Sequence, residues 1–208
     1  MTYLNIMQKD NTTFVSKKKD RLEAIGLLAE PPVILETNGG MGELYNHCYR
    51  GVKNGVVFEK DKKKAVFLAE QRPSWDIWNC DCVNGIKNGI GGQKNFNLID
   101  IDPYGSCWDI VDAVFLNGRK FKKRLVIVCN DGLRQKIQIS GAGDVKQLIE
   151  IKRKYGNNIY PKYLEVCKEL LKQKAATRGL RVSSFKGYYC GHQDQMTHWL
   201  AEILNDAE

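Results

Sequence analysis

Four acids in this sequence follow short apolar runs. Glu36 comes after Val33-Ile34-Leu35, Glu59 after Val56-Val57-Phe58, Asp81 after the run from Asp76 to Cys80, and Asp102 after the run from Phe96 to Ile101. A carboxylate at the end of a strand repels a pyrophosphate and suits a ligand carrying an ammonium group. Glu36 is followed by Thr37-Asn38-Gly39-Gly40-Met41-Gly42, and apolar spacing resumes at Leu44 and Tyr45. That order reads as strand, tight loop, helix. Gly40 and Gly42 remove side chains where a backbone bends sharply and a ligand comes close. The same residues also fit an ordinary strand-to-helix turn. A dinucleotide-binding loop fits less well, because Tyr45 stands where the third glycine of that fingerprint belongs.

Positioning these acids requires elements that alternate. Ser16 to Leu28 has helical spacing, with Leu22, Ile25 and Leu28 on one face and Ser16 as a cap. Pro31-Pro32 stops it and delivers the chain to the strand at 33. A helix is expected over 43–49, a strand over 55–58, a helix over 62–71 and a strand over 76–80. Residues 84–93, rich in Gly and Asn, read as a loop with room for a short helix. A fourth strand over 96–102 is broken at once by Pro103 and Gly105. A helix over 108–116 and a buried strand over 125–129 follow, then helices at about 144–155 and 161–177. Val182 to Tyr189 and Met196 to Leu204 pair as a closing antiparallel hairpin, although the second also fits a helix. Strands alternating with helices specify a parallel sheet with helices on both faces. Ligands of such sheets sit beyond the carboxyl ends of the strands. One acid there is noise, but four consecutive strand ends, each costly without a partner, read as a site.

Composition sets the frame. At 208 residues the expectation is one domain, 1–208, with 1–12 a loose polar tail. No stretch approaches the roughly 20 apolar residues that cross a bilayer, and the first residues lack a signal-peptide pattern, so an intracellular, cytoplasmic protein without a membrane partner is expected. Seven cysteines, an odd number and scattered, read as buried free thiols. The net charge of +8 is clustered, in Lys17-Lys18-Lys19, Lys60 to Lys64, Arg119 to Arg124 and Lys152-Arg153-Lys154. Such runs are commonly solvated faces. Several of one sign on one small domain also point to a polyanionic partner, nucleic acid first.

Taken together, residues 30–130 resemble the class I S-adenosylmethionine-dependent methyltransferases, and the remainder does so more loosely. The resemblance implies a Rossmann-like α/β fold, a mostly parallel seven-stranded sheet with helices on both faces and an antiparallel C-terminal hairpin. It implies S-adenosyl-L-methionine as cofactor. Glu36 would meet the methionine ammonium, directly or through water, with the backbone from Asn38 through Gly40 to Gly42 lying against the ligand. Asn38 replaces the glycine usual at its position. Glu59, with Lys60 beside it, would bind both ribose hydroxyls, since a carboxylate has two acceptor oxygens for a vicinal diol. Asp81 would read the adenine amino group, with Cys82 beside the ring.

The fourth strand end narrows the chemistry. Asp100-Ile101-Asp102-Pro103-Tyr104-Gly105-Ser106 is similar to the motif of the tRNA guanine-N2 (di)methyltransferases, and lacks the second proline of many amino-directed nucleic-acid methyltransferases. The resemblance implies that Asp102 and the Pro103 carbonyl orient an exocyclic amine while Tyr104 stacks on the base. It implies tRNA processing and favours RNA over DNA as partner; the basic run at 119–124, with Lys122 and Lys123, is expected from its charge to serve that substrate. That family carries a substantial C-terminal RNA-binding domain for which this chain has no room, a departure that bears on the substrate more than on the reaction. No metal is required. A DNA adenine-N6 or cytosine-N4 methyltransferase, or a non-catalytic module that keeps the fold, are the alternative readings.

Overall fold

The computed structural model describes residues 13–140 and 145–205. The expected loose tail, 1–12, lies outside the described residues, as does the beginning of the helix expected from 144. Seven strands make one sheet: β1 (Val33–Glu36), β2 (Asn54–Phe58), β3 (Asp76–Trp78), β4 (Asn95–Ile101), β5 (Lys120–Asp131), β6 (Leu180–Cys190) and β7 (Met196–Asn205). Their order is β3-β2-β1-β4-β5-β7-β6. The first five run parallel, and β7 enters antiparallel between β5 and β6. The fold is thus the Rossmann-like α/β sheet with a C-terminal antiparallel hairpin, and 196–205 is strand rather than helix. Among the described residues no helix is long and apolar enough to cross a membrane.

Among the described residues seven α-helices flank the sheet: α1 (Phe14–Gly26), α2 (Lys62–Gln71), α3 (Cys82–Lys87), α4 (Trp108–Leu116), α5 (Leu133–Ser140), α6 (Ile149–Tyr155) and α7 (Tyr163–Ala176). The segment expected as a helix over 43–49 closes in a wide π-helical turn at Tyr45–Tyr49. The helix α5 was not expected, although Leu133 and Ile137 are buried at helical spacing. The two sheet faces differ in kind. On one, α4 and α7 cover an apolar core that runs from Leu35 and Phe58 through Trp108 to Trp199 and holds the buried thiols Cys82, Cys107, Cys129 and Cys167. All seven cysteines are free. On the other, a smaller apolar cluster around Ile34, Tyr49, Val57 and Val128 meets α1.

That helix corrects the apolar pattern read from its sequence. Leu22, expected inside, is exposed, whereas Asp20, Arg21 and Ala24 are the buried residues. The charged side chains turn inward because partners stand beneath them. Arg21 meets Asp100 on β4, and Asp20 meets His198 on β7 at 3.3 Å and the Tyr188 hydroxyl at 2.7 Å. Those partners exist only once the sheet is assembled, so local periodicity could not show them.

Candidate functional site

The acids expected at strand ends do converge on the carboxyl end of the sheet. Glu36 ends β1, Glu59 follows β2, and Asp102 follows β4 by one residue. Asp81 departs from its expected place, because β3 stops at Trp78 instead of reaching Cys80. Asn79 ends the ladder by donating its side-chain amide to the carbonyls of Glu59 and Lys60, at 2.9 and 3.0 Å. Asp81 then caps α3, accepting from the Asn84 N–H at 3.1 Å. Cys82, the first residue of α3, is buried behind it.

The glycine loop between β1 and the π-helical turn lies tight against β2. Gly39 donates its N–H to the Phe58 carbonyl at 3.0 Å, and a Cβ there would sit 2.6 Å from a Leu68 methyl and 2.7 Å from one of Val57. Gly40 and Gly42 have φ of +55° and +75°, values that an L side chain resists. Gly40 then turns its N–H onto Glu59 Oε2 at 2.8 Å, and the Asp61 N–H holds Glu59 Oε1 at 2.8 Å. Two backbone donors therefore fix the Glu59 carboxylate in one orientation at the rim. Each of its oxygens keeps a lone pair for a further donor. Asn38 is half-buried and receives the Thr37 hydroxyl at 2.7 Å, while Lys60 is exposed.

Glu36 lies beneath this loop rather than facing out of it. It is 3% exposed, and Arg72, just past α2, puts Nη1 on its Oε2 and Nη2 3.5 Å from its Oε1. The guanidinium itself lies over the Tyr45 and Trp75 rings, 4.3 and 5.3 Å from their centroids. Burial pushes the Glu36 carboxyl up to about 7, against the pull of Arg72. Direct contact of Glu36 with a ligand ammonium, the role implied by the resemblance, is thus taken up in this structure by an internal cation.

At the end of β4 the same device recurs twice. Asp100 is buried, and Arg21 reaches it with Nε at 3.0 Å and Nη2 at 2.5 Å, while the Tyr49 hydroxyl donates at 2.8 Å. Burial opposes the Arg21 charge, but Asp100 and Asp102 outweigh it and hold the guanidinium above its usual range. Asp102 sits nearer solvent, 19% exposed, with Lys17 Nζ at 2.8 Å from both of its oxygens and Arg21 Nη2 at 3.9 Å. A carboxylate so placed keeps lone pairs toward solvent and can accept further hydrogen bonds. Beyond it Pro103 is half-buried and the Tyr104 ring is fully exposed. Sequence reasoning placed Lys17 in a surface run and passed over Arg21, Tyr49 and Arg72. Their spacing from their partners, 36 to 85 residues, left no local signal.

Other candidates fall elsewhere. Trp108 is fully buried and donates Nε1–H to the Tyr163 hydroxyl at 3.0 Å, a core residue. His47 and His192 are exposed, and His198 is buried against Asp20. Lys122 and Lys123 belong to the start of β5, at the end of the sheet opposite Asp102, so the structure does not bring them to this site. Lys122 pairs there with Glu30 at 2.5 Å.

No family model and no curated protein matches the chain. Solved structures do match it in fold. Trm1 from Pyrococcus horikoshii, solved in complex with S-adenosyl-L-methionine, gives a TM-score of 0.61 at 12% identity, over 93% of this chain and 56% of Trm1. The chain therefore spans little more than half of that protein's length. The N-methyltransferase NodS from Bradyrhizobium japonicum WM9 gives 0.60 at 12% identity over 94% of this chain and 98% of NodS. TYW2 from M. jannaschii, in complex with AdoMet, gives 0.54 at 13% identity over 96% and 78%. The likeness is one of fold, and the fold is that of methyltransferases.

Proposed function

We propose that the chain is an S-adenosylmethionine-dependent methyltransferase that acts on an exocyclic amino group of a nucleic-acid base, guanine N2 in RNA and specifically tRNA. The observation that carries this reading is the pair of acids flanking β1. Glu59 is preset by two backbone N–H groups beside a glycine loop, and Asp102 stands one residue past β4 with the exposed Tyr104 ring next to it. Neighbours in fold solved with S-adenosyl-L-methionine or AdoMet support the cofactor, and one described as an N-methyltransferase supports nitrogen as acceptor. The Asp100-to-Ser106 motif supports guanine N2.

The residues present fit that cofactor. The loop from Gly39 to Gly42 offers backbone without side chains, Glu59 accepts from two ribose hydroxyls, and Asp81 and Cys82 bound the adenine. Glu36, committed to Arg72, steadies the loop from beneath, which leaves an ammonium to the backbone carbonyls above it. When bound, S-adenosylmethionine supplies a methyl group from its sulfonium sulfur.

An aromatic amine is a poor nucleophile because its lone pair is delocalised into the ring. Asp102 and the Pro103 carbonyl accept from the amine hydrogens, favour a pyramidal nitrogen and aim its lone pair. Lys17 now holds both Asp102 oxygens, so the arriving amine takes over hydrogen bonds that Lys17 makes in its absence. Tyr104 gives the base a stacking face. The base must be unpaired or flipped to arrive there. Positioning and fixed charges in a shielded site provide the acceleration.

Methyl-labelled S-adenosylmethionine offered with total tRNA, rRNA and DNA, followed by nucleoside analysis, tests the reading. N2-methylated guanosine in tRNA is the expected product. Label in DNA adenine or cytosine would move the assignment to the alternative amine, and no label in any polymer would overturn it.

A further inference from the structure

The end of the sheet opposite Asp102 carries a groove of about 590 Å³ among the starts of β4, β5 and β6. Five of the ten residues lining it are cationic, Arg119, Lys120, Lys122, Lys123 and Arg178, against one carboxylate, Glu30. Lys122 is neutralised by Glu30. The others are not. Arg178 donates to the carbonyls of Phe115 and Arg119 at 3.0 and 3.1 Å, and Arg119 is buried on the carbonyls of Ile86, at 2.8 Å, and Ile90. Both guanidinium groups are therefore fixed in place, and neither meets a carboxylate among the described residues. Lys120 and Lys123 are exposed and have no ion-pair partner among the described residues.

Backbone geometry sets two of these cations apart. In the β4–β5 ladder Phe96 faces Phe121, but the next pair is Leu98 with Val126, so residues 122–125 stand opposite Asn97 alone. A bulge of that size bends the strand and takes Lys122 and Lys123 out of the β4 ladder. Fixed, uncancelled positive charge along a groove raises the local concentration of anions, and a chain of phosphates satisfies several such charges at once.

We propose that this groove is a second contact for the phosphate backbone of the RNA substrate, which is thereby gripped at both ends of the sheet. The inference rests on the reading of the Asp102 end as a nucleic-acid site, and it sets a minimum substrate length. Asn95 is in register with Lys120, and Asp102 lies seven residues further along β4. At roughly 3.3 Å per residue the two sites are about 23 Å apart. At the DNA spacing of about 3.4 Å per phosphate on each strand about seven base pairs reach from one to the other, and the more compact A-form RNA duplex needs somewhat more. Shorter RNA reaches only one.

Fluorescence anisotropy with labelled RNA hairpins tests this on the full chain, comparing stems of about 5 and about 20 base pairs. The variant carries Lys120→Glu and Lys123→Glu, with its melting curve and S-adenosylmethionine titration confirming an intact fold. On the long stem it should bind on the order of tenfold more weakly, and the slope of log affinity against log salt should drop by about 0.9 for each lost contact. On the short stem added at the Asp102 end, variant and wild type should bind alike. Unchanged affinity and slope on the long stem would overturn the proposal, as would equal losses on both stems or a wild-type protein that binds neither. The assay reads binding alone. Groove-dependent binding by a protein that methylates no nucleic acid would therefore contradict the catalytic reading while keeping the groove.

Discussion

The two ends of the sheet treat charge in opposite ways. At the carboxyl end the charges are mostly acidic, and three of them meet a cation from a helix or its end: Arg72 to Glu36, Arg21 to Asp100, Lys17 to Asp102. At the other end they are basic, and the exposed Lys120, Lys123 and Arg178 are left without carboxylates among the described residues. The difference follows from burial. A buried ion must find its partner within the fold, because its desolvation is otherwise uncompensated, whereas an exposed ion is solvated and can wait for a partner from solution. Buried charges that hold the fold together are thereby distinguished from exposed ones that stay open to a ligand.

Breaking an internal pair should therefore have the largest effect. Arg21→Met leaves Asp100 buried with the Tyr49 hydroxyl alone, and should cost about 3–5 kcal/mol in urea unfolding. A loss below about 1 kcal/mol would mean that the pair does not anchor α1. Asp131 is the informative exception at the acidic end, since its hydrogen bonds come from the Tyr163 hydroxyl at 2.6 Å and the Leu133 N–H at 2.9 Å. Burial raises its carboxyl from 3.8 to about 6, against those hydrogen bonds. The folded state thus keeps a proton that the unfolded chain has released. That stabilisation is complete below about pH 4 and lost as pH rises through about 6. Relative to Asp131→Asn, wild-type stability should fall by on the order of 3 kcal/mol between pH 4 and 7. A constant difference across that range would show that Asp131 is ionised throughout.

Smaller effects sharpen the contrast. Glu59→Ala removes a charged acceptor oriented by Gly40 and Asp61, and should weaken S-adenosylmethionine binding by roughly 1.5–3 kcal/mol per lost hydrogen bond in calorimetric titration. Unchanged affinity in a folded variant would remove Glu59 from the cofactor site. Smallest of all, the paired reversal of Lys120 and Lys123 should shift stability by no more than about 0.5 kcal/mol, as expected of exposed charges that hold nothing inside the fold. A larger loss would show internal partners and erase the distinction between the two ends.

What the sequence showed of this arrangement follows from the range of the forces involved. Strand ends at Glu36, Glu59 and Asp102 are written locally, as apolar runs broken by an acid, a glycine or a proline. Helix α4 and the closing hairpin follow from the same short-range patterns. The inward turn of α1 is not local, because it depends on Asp100, 79 residues from Arg21. Apolar spacing at Leu22 pointed the helix the wrong way for that reason. The start of β5 was hidden by its own composition, since Lys120 to Arg124 reads as a solvated run and only the ladder to β4 and β7 makes it a strand. The role of Lys17 was hidden likewise, one lysine of three distinguished by what stands 2.8 Å away.

The central claim is that Asp102 serves the amine while Glu59 and the glycine loop serve the cofactor. Single-turnover methylation of tRNA by Asp102→Ala, run beside calorimetric titration of S-adenosylmethionine, separates the two roles. Tyr104→Ala is the companion variant, and should weaken RNA binding by roughly 1–3 kcal/mol through lost stacking. For Asp102→Ala the account predicts cofactor affinity within a few-fold of wild type and methyl transfer nearly abolished, the pattern of an interaction made mainly in the transition state. Near-normal turnover by that variant, or a loss of cofactor binding large enough to explain the lost turnover, would contradict it.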